Sequence, residues 1–427
     1  MKYQRKQRWL KLDNAAKIFP AARTRHWTNV YRLSATLYED IDPDILQKSL
    51  NDIKKRFPSI CVRLDNGMFW YYIEETKETP RVMPEGPHAC MKMDFSEIKR
   101  CALRVLYYKN RISTEFFHSL SDGNGALIFL KTLLATYLEN KHNIDIPHTD
   151  GVLDISCRAK KEELEDSFLK YSGRIASGRK DTDAYMHKGT PLREEFTPLI
   201  TGVLNIADIK SVSKKYGVSI NTYLAAVMAY AFQTVQEKEV ANQKKRKPVK
   251  ILIPVNMRNF YPSSTLRNFV LFVTPSIETK LGHYELDEII KSFYHQIGFG
   301  LTEKNMNALM ATNVKDELNP ALRIVPLFLK NIVMKAVYNI SGERKSSISM
   351  SNLGKVELPN IMNDYIERFD FVLTPQLQQP CGCSIISYKD KLYVSFVRKI
   401  KEPKLEKEFF TTLVKQGLHV KIESNRS

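Results

Sequence analysis

The stretch Phe116–Leu138 reads FFHSLSDGNGALIFLKTLLATYL. Its first residues close an apolar, strand-like run. One histidine, His118, then precedes a Ser-Asp-Gly-Asn-Gly turn. Behind the turn, Leu127, Leu130, Leu134 and Leu138 recur at helical spacing, which predicts a helix from about Asn124 to Glu139. Histidine is the side chain whose pKa suits proton transfer near neutrality. Placed where a strand ends, His118 would project from a rigid element into a cleft. Asp122 stands where a helix N-cap belongs, and Gly123 and Gly125 permit close approaches that larger residues forbid.

The sequence carries its own control. HYELD places His283 four residues before Asp287, without a preceding strand or a glycine turn, and reads as the exposed start of a helix. The four-residue spacing alone therefore says little. Spacing joined to strand, glycines and following helix says more.

Outward from the motif, the N-terminal half alternates strand and helix patterns. WTNVYRLSATLY alternates like a strand with one buried face, and DPDILQKSLNDIKKRF reads as a helix capped by Asp42 or Asp44, with Pro43 near its first position. Two hairpins are expected, with turns at Asp65-Asn66-Gly67 and at Lys109-Asn110; the second delivers His118. Residues 158–198 are charged and aperiodic and read as a crossing segment. Beyond them strand, helix, turn and a longer apolar helix recur. The expected organisation is residues 1–157 as an N-terminal subdomain bearing the motif, 158–198 as the crossing, and 199–427 as a C-terminal subdomain.

Bulk properties bound the function. The chain has 427 residues, 43% hydrophobic and 10% aromatic, which is globular composition for two or three domains. No run approaches the roughly 18 apolar residues of a membrane span. The basic start lacks the apolar region of a secretory signal, so a cytoplasmic protein is expected, with no transmembrane segment. Cys61, Cys90, Cys101, Cys157, Cys381 and Cys383 are irregularly spaced and read as free, mostly buried thiols; no metal site is expected. A formal charge of +18 suits anionic partners: phosphorylated cofactors, acidic carrier proteins or acidic membranes. The densest basic run, KKRKPVK at Lys244–Lys250, leads straight into a strand and reads as a solvated loop. No nucleic-acid fold signature accompanies it.

FFHSLSDGNGALIFLKTLL resembles the His-x-x-x-Asp-Gly signature of the chloramphenicol-acetyltransferase-like superfamily, which includes alcohol O-acetyltransferases, plant acyltransferases and condensation domains of peptide synthetases. KLDNAAKIFPAA, LDNGMFWYY, DAYMHKGTPL, PVNMRNFYPSSTLRNFVLFVTP and SISMSNLG resemble, in order, segments of the alcohol acetyltransferase branch. Phe117 stands where condensation domains usually carry a second histidine, and the Asp-Phe-Gly-Trp-Gly element of plant enzymes has no counterpart.

The resemblance implies two similar α/β domains, each a mixed sheet with flanking helices, with a tunnel between them. It implies His118 as general base for an acceptor attacking an acyl thioester, with no acyl-enzyme. Asp122 would pair with Arg258, with Arg267 and Arg104 as alternatives. Ser349, Ser351 and Asn352, or the backbone at Gly123, would face the oxyanion. Acyl-CoA would be a co-substrate, with no permanently bound cofactor, the acceptor a small alcohol and the protein a monomer. Two other readings stand beside this one: a condensation-type enzyme served by an acidic carrier protein, and a non-catalytic binding module of the same fold.

Overall fold

The computed structural model describes residues 9–24, 27–173, 175–176, 182–192, 197–318, 324–337 and 343–425. The first eight residues of the basic start, and residues 174, 177–181 and 193–196 of the expected crossing segment, lie outside these.

The apolar runs around Lys109-Asn110 form the strands Leu103–Tyr108 and Arg111–Phe117, with Tyr108 opposite Arg111 and Lys109 at φ 50°. A left-handed residue is what so tight a connection demands. Val30–Leu37 lies antiparallel on the other side of Arg111–Phe117, Val30 facing Phe117. Met83–Pro84 and Ile366–Leu373 complete a five-stranded sheet, in the order Ile366–Leu373, Val30–Leu37, Arg111–Phe117, Leu103–Tyr108, Met83–Pro84. The alternation in Val30–Leu37 predicts one buried face, yet every residue there except Thr36 is buried. Its polar side survives burial because the partners are in place: Arg32 Nη2 reaches Glu115 Oε1 at 2.7 Å and Ser34 Oγ meets Ser113 Oγ at 2.8 Å.

The helix Pro43–Ile53 starts as expected. Asp42 Oδ1 accepts from the N–H groups of Asp44 and Ile45 at 2.9 and 3.1 Å, and Pro43 opens the first turn. Leu46, Leu50 and Ile53 are buried in the core that the motif helix shares. A smaller sheet orders Trp9–Lys11, Tyr71–Glu75 and Val62–Asn66. Here the turn falls later than expected: Asp65 and Asn66 remain in the strand, and the loop is Gly67–Trp70, closed by Gly67 N donating to Trp70 O at 2.8 Å.

The C-terminal half builds an eight-stranded mixed sheet. Its order is Val270–Val273, Val249–Asn256, Ile348–Lys355, Cys381–Tyr388, Lys391–Arg398, Leu199–Asn205, Lys421–Ser424, with Ser276–Ile277 also on Val249–Asn256. Ile348–Lys355 runs parallel to both its neighbours; the other pairings are antiparallel. The helix Ile220–Glu239 lies in the second core and buries residues all round its circumference, from Thr222 to Gln236. Ile366–Leu373 comes from this late part of the chain yet pairs in the first sheet, while the next strand, Cys381–Tyr388, returns to the second. A division by chain order alone does not place that strand.

All six cysteines are free; Cys157 is exposed and Cys101 half-buried, the rest buried. Lys244, Lys245 and Lys247 are exposed at the turn before Val249–Asn256. Among the described residues, no helix is long and apolar enough to cross a membrane, and no group of three or more His, Cys, Asp and Glu is placed to hold a metal ion.

Candidate active site

The motif helix spans Gly123–His142 and ends at Asn143, which adopts the left-handed conformation at φ 53°. Asp122 is its N-cap: Oδ1 accepts from Asn124 N and Gly125 N, both at 3.1 Å. The neighbouring glycines serve closeness rather than unusual dihedrals. Neither has a positive φ. A Cβ on Gly125 would land on the Leu266 carbonyl oxygen and Ser121 Oγ, and one on Gly123 would land on the side chain of Leu353.

His118 sits one residue beyond the strand, its backbone N–H donating to Asn29 O at 2.9 Å. The half-buried ring is held between aromatic neighbours. It stacks on Phe19 at 4.3 Å between centroids and meets Tyr31 edge-on at 5.0 Å. Its Nδ1 is buried. Burial pushes the imidazole pKa below the ordinary 6.5; a bond to its own backbone and the nearby Asp122, Asn268 and Asp13 pull it back upward. The net direction is downward, so the ring is neutral around pH 7.

The turn after His118 is fastened to distant parts of the chain. Tyr31 Oη donates to the carbonyls of Ser121 and Asp122 at 2.9 and 3.1 Å. Ser121 Oγ donates to Leu266 O at 2.6 Å. Asp122 Oδ2 accepts from Arg258 Nη1 at 2.8 Å and from Phe269 N at 2.9 Å. Arg258 also donates to the carbonyls of Thr265 and Arg267 and to Asn256 Oδ1. Asp122 thus commits Oδ2 to the segment Asn256–Phe269 and Oδ1 to its own helix.

The two alternative arginines stand elsewhere. Arg267 Nε lies 3.6 Å from Asp13 Oδ2, and Arg104 is bound to Glu97 and Glu115. Asp13 is fully buried beneath the site, accepting from Ala16 N at 2.8 Å and from Asn268 at 3.3 Å; burial raises its pKa against the pull of Arg267. Asp13, Phe19, Tyr31 and Asn268 are site residues that motif reading passes over. Three of them lie inside the quoted segments KLDNAAKIFPAA and STLRNFV, so the signal was present as strings and not as individual residues.

Ser349, Ser351 and Asn352 all lie on Ile348–Lys355, half-buried. This strand reaches the motif through Leu353, which occupies the space over Gly123. Among the described residues none of the three hydrogen-bonds to His118. Asn352 accepts from Gly354 N at 2.8 Å, where Gly354 has φ 74°, and donates to Asn221 Oδ1 at 3.3 Å. His283 is at the start of the helix Leu286–Gly300, its Nδ1 3.1 Å from Glu237 and from Gln233 Nε2.

Two cavities open near these elements. One, of about 440 Å³, is bordered by Asn352, Lys355, Lys210, Lys214 and the N-terminal residues Ser219 and Ile220 of the helix Ile220–Glu239. Lysines around a helix N-terminus suit phosphate groups. The other, of about 480 Å³, lies beside Thr28 and Arg23.

No protein-family model matches the chain. No curated protein matches it by sequence. Solved structures do. TRI101 of F. graminearum, complexed with ethyl coenzyme A, superposes with a TM-score of 0.63 at 11% identity, over 98% of this chain and 100% of that one. TRI3 trichothecene 15-O-acetyltransferase from Fusarium sporotrichioides gives 0.60 at 13% identity, over 96% and 94%. The wax ester synthase/diacylglycerol acyltransferase from Marinobacter aquaeolei VT8 gives 0.53 at 13% identity, over 96% and 100%. The chain therefore shares the two-domain α/β fold of these solved structures.

Proposed function

We propose that the protein is an acyltransferase that moves an acyl group, acetyl in the first instance, from coenzyme A to an alcohol. The observation that carries this reading is the ring of His118 just past a strand end, wedged between Phe19 and Tyr31 where burial lowers its pKa. In this reading Nε2 acts as the base. It takes the hydroxyl proton of the acceptor as that oxygen attacks the thioester carbonyl carbon. The tetrahedral intermediate collapses, the C–S bond breaks, and the sulfur leaves with the proton returned from His118. Ester and free thiol result, with no covalent enzyme intermediate.

The Asp122 cap takes the Asn124 and Gly125 N–H groups and leaves that of Gly123 as the first-turn donor for the oxyanion. Ser349 and Ser351 are further donors from the facing strand; Asn352 is engaged with Asn221 and Gly354. Lys210, Lys214 and Lys355, with the helix start at Ser219, form the cradle for the phosphates of the coenzyme. Residues 1–157 and 199–427 act as the two acyltransferase subdomains around this site, joined by 158–198, with Ile366–Leu373 of the second lent to the sheet of the first.

Purified protein incubated with acetyl-coenzyme A and a panel of alcohols should release free thiol and form ester. His118→Ala should lower the rate by on the order of 10²–10⁴. Transfer only from a thioester-loaded acidic carrier protein would move the reading to the condensation type. Failure with either donor would leave a binding module.

A further inference from the structure

The second cavity has a lining that the transfer of an acyl group to a plain alcohol does not require. Arg23, Lys92 and Lys335 surround it, with Thr24, Thr28 and Phe95. Among the described residues Asp94 is the only acidic one in the lining, and it is paired with Lys92 at 2.5 Å. The Arg23 guanidinium lies over the ring of Phe95, 3.5 Å from its centroid, and Nη1 is buried with no hydrogen-bond partner among the described residues. A buried guanidinium nitrogen without an acceptor is costly unless a ligand supplies one. Burial depresses the Arg23 pKa, which is the response of a cation whose desolvation is not met by a carboxylate.

This cavity is coupled to the reacting centre through two short paths. Arg23 follows Phe19 by four residues across the helix Ile18–Ala22, one turn or about 6 Å of rise, and Phe19 is the residue stacked on His118. Thr28, which accepts from Met93 N at 3.0 Å, precedes Asn29, whose carbonyl binds the His118 N–H. The cavity shares no lining residue with the lysine-bordered one near Asn352, so the cradle given to the coenzyme and this site are separate places.

We propose that this cavity receives an anionic group, a carboxylate or phosphate, carried by the acceptor, so that the favoured acceptors are hydroxy acids or phosphorylated alcohols. The inference rests on the acyl-transfer reading for the identity of the acceptor, and on the cavity alone for anion binding. The planar guanidinium of Arg23 supplies paired donors, Lys335 adds charge from the helix Leu327–Val337, and Thr28 lies beside the path toward His118.

The test has a binding arm and a kinetic arm. In the first, wild-type protein, Arg23→Gln and Lys335→Gln are titrated calorimetrically with inorganic phosphate, 4-hydroxybutyrate, 1-butanol and coenzyme A. Binding of phosphate and 4-hydroxybutyrate, weakened about tenfold or more by Arg23→Gln and restored in part by Arg23→Lys, is the expected result. If Arg23→Gln instead weakens coenzyme A and leaves 4-hydroxybutyrate unchanged, the anion belongs to the donor and the acceptor assignment falls. If neither anion binds wild-type protein, the site is not an anion site. In the second arm, the ratio of kcat/KM for 4-hydroxybutyrate over 1-butanol, and for glycerol 3-phosphate over glycerol, should exceed one in wild type by about tenfold and collapse toward one in Arg23→Gln. Equal ratios in wild type and variant overturn the proposal. Absence of transfer to any acceptor with anion binding intact would refute the acyl-transfer reading and not the anion site.

Discussion

Replacing Asp122 by asparagine tests how the turn after His118 is held. The carboxylate side chain is 3% exposed and Arg258 is 10% exposed, so their 2.8 Å contact is made away from water. Oδ2 also accepts from Phe269 N and Oδ1 from two helix N–H groups, which makes four donors converging on one charge. An amide in that place would turn an N–H₂ toward donors on one side. Arg258 keeps its bonds to the carbonyls of Thr265 and Arg267 but becomes a buried cation without its anion. Breaking one partner of such a pair costs about 3–5 kcal/mol. Arg258→Met should cost about as much, because it strands the carboxylate. The double variant removes both charges and should lose clearly less than the sum of the two, since contacting residues couple. Denaturant midpoints and transfer rates on the four proteins measure this, and stability and activity should fall together. Strictly additive losses, or a crippled rate in Asp122→Asn at unchanged stability, would refute the structural role and make Asp122 a partner of the imidazole.

The remaining expectations are narrower. Because burial holds the His118 pKa below 6.5, kcat/KM should climb through an acid limb centred below that value and level off above it; a limb centred above about pH 7 contradicts the assignment. By linkage, the unfolded imidazole takes its proton before the folded one as pH falls through 6.5, so wild type should lose more stability than His118→Ala on that descent, as denaturation at about pH 7 and about pH 5 would show. Gly125→Ala should destabilise by about 1–3 kcal/mol, since its Cβ would meet the Leu266 backbone, which cannot rotate away; an unchanged midpoint would mean that the helix start is free to shift. His283→Ala should leave transfer intact and stability within about 1 kcal/mol, because that exposed ring contacts Glu237, Gln233 and Tyr230 at the surface, away from His118; loss of transfer there would point to the wrong histidine at the centre.

Local chemistry was written plainly along the chain. The strand ending at Phe117, the cap at Asp122, the glycines after it and the helix behind them follow from hydrophobic period and capping, which act over a few residues. The same holds for Asp42 and Pro43 at the head of their helix and for the tight turn at Lys109. Where nonlocal pairing decides, the sequence falls short. The polar side of Val30–Leu37 is buried only because Glu115 and Ser113 arrive from another strand. Ile366–Leu373 sits beside Val30–Leu37 although more than three hundred residues separate them, and no local pattern announces which sheet edge it will extend. The burial that lowers the His118 pKa, with Phe19 and Tyr31 packed on the ring, and the opposing pull of Asp122, Asn268 and Asp13 come from residues spread along the chain. Choosing among Arg258, Arg267 and Arg104 needed distances, because three guanidinium groups of equal charge are distinguished only by which carboxylate the packing brings near. Sequence set the elements and the candidate histidine; tertiary structure set the electrostatic surroundings, since burial and long-range contacts arise only once the chain has closed on itself.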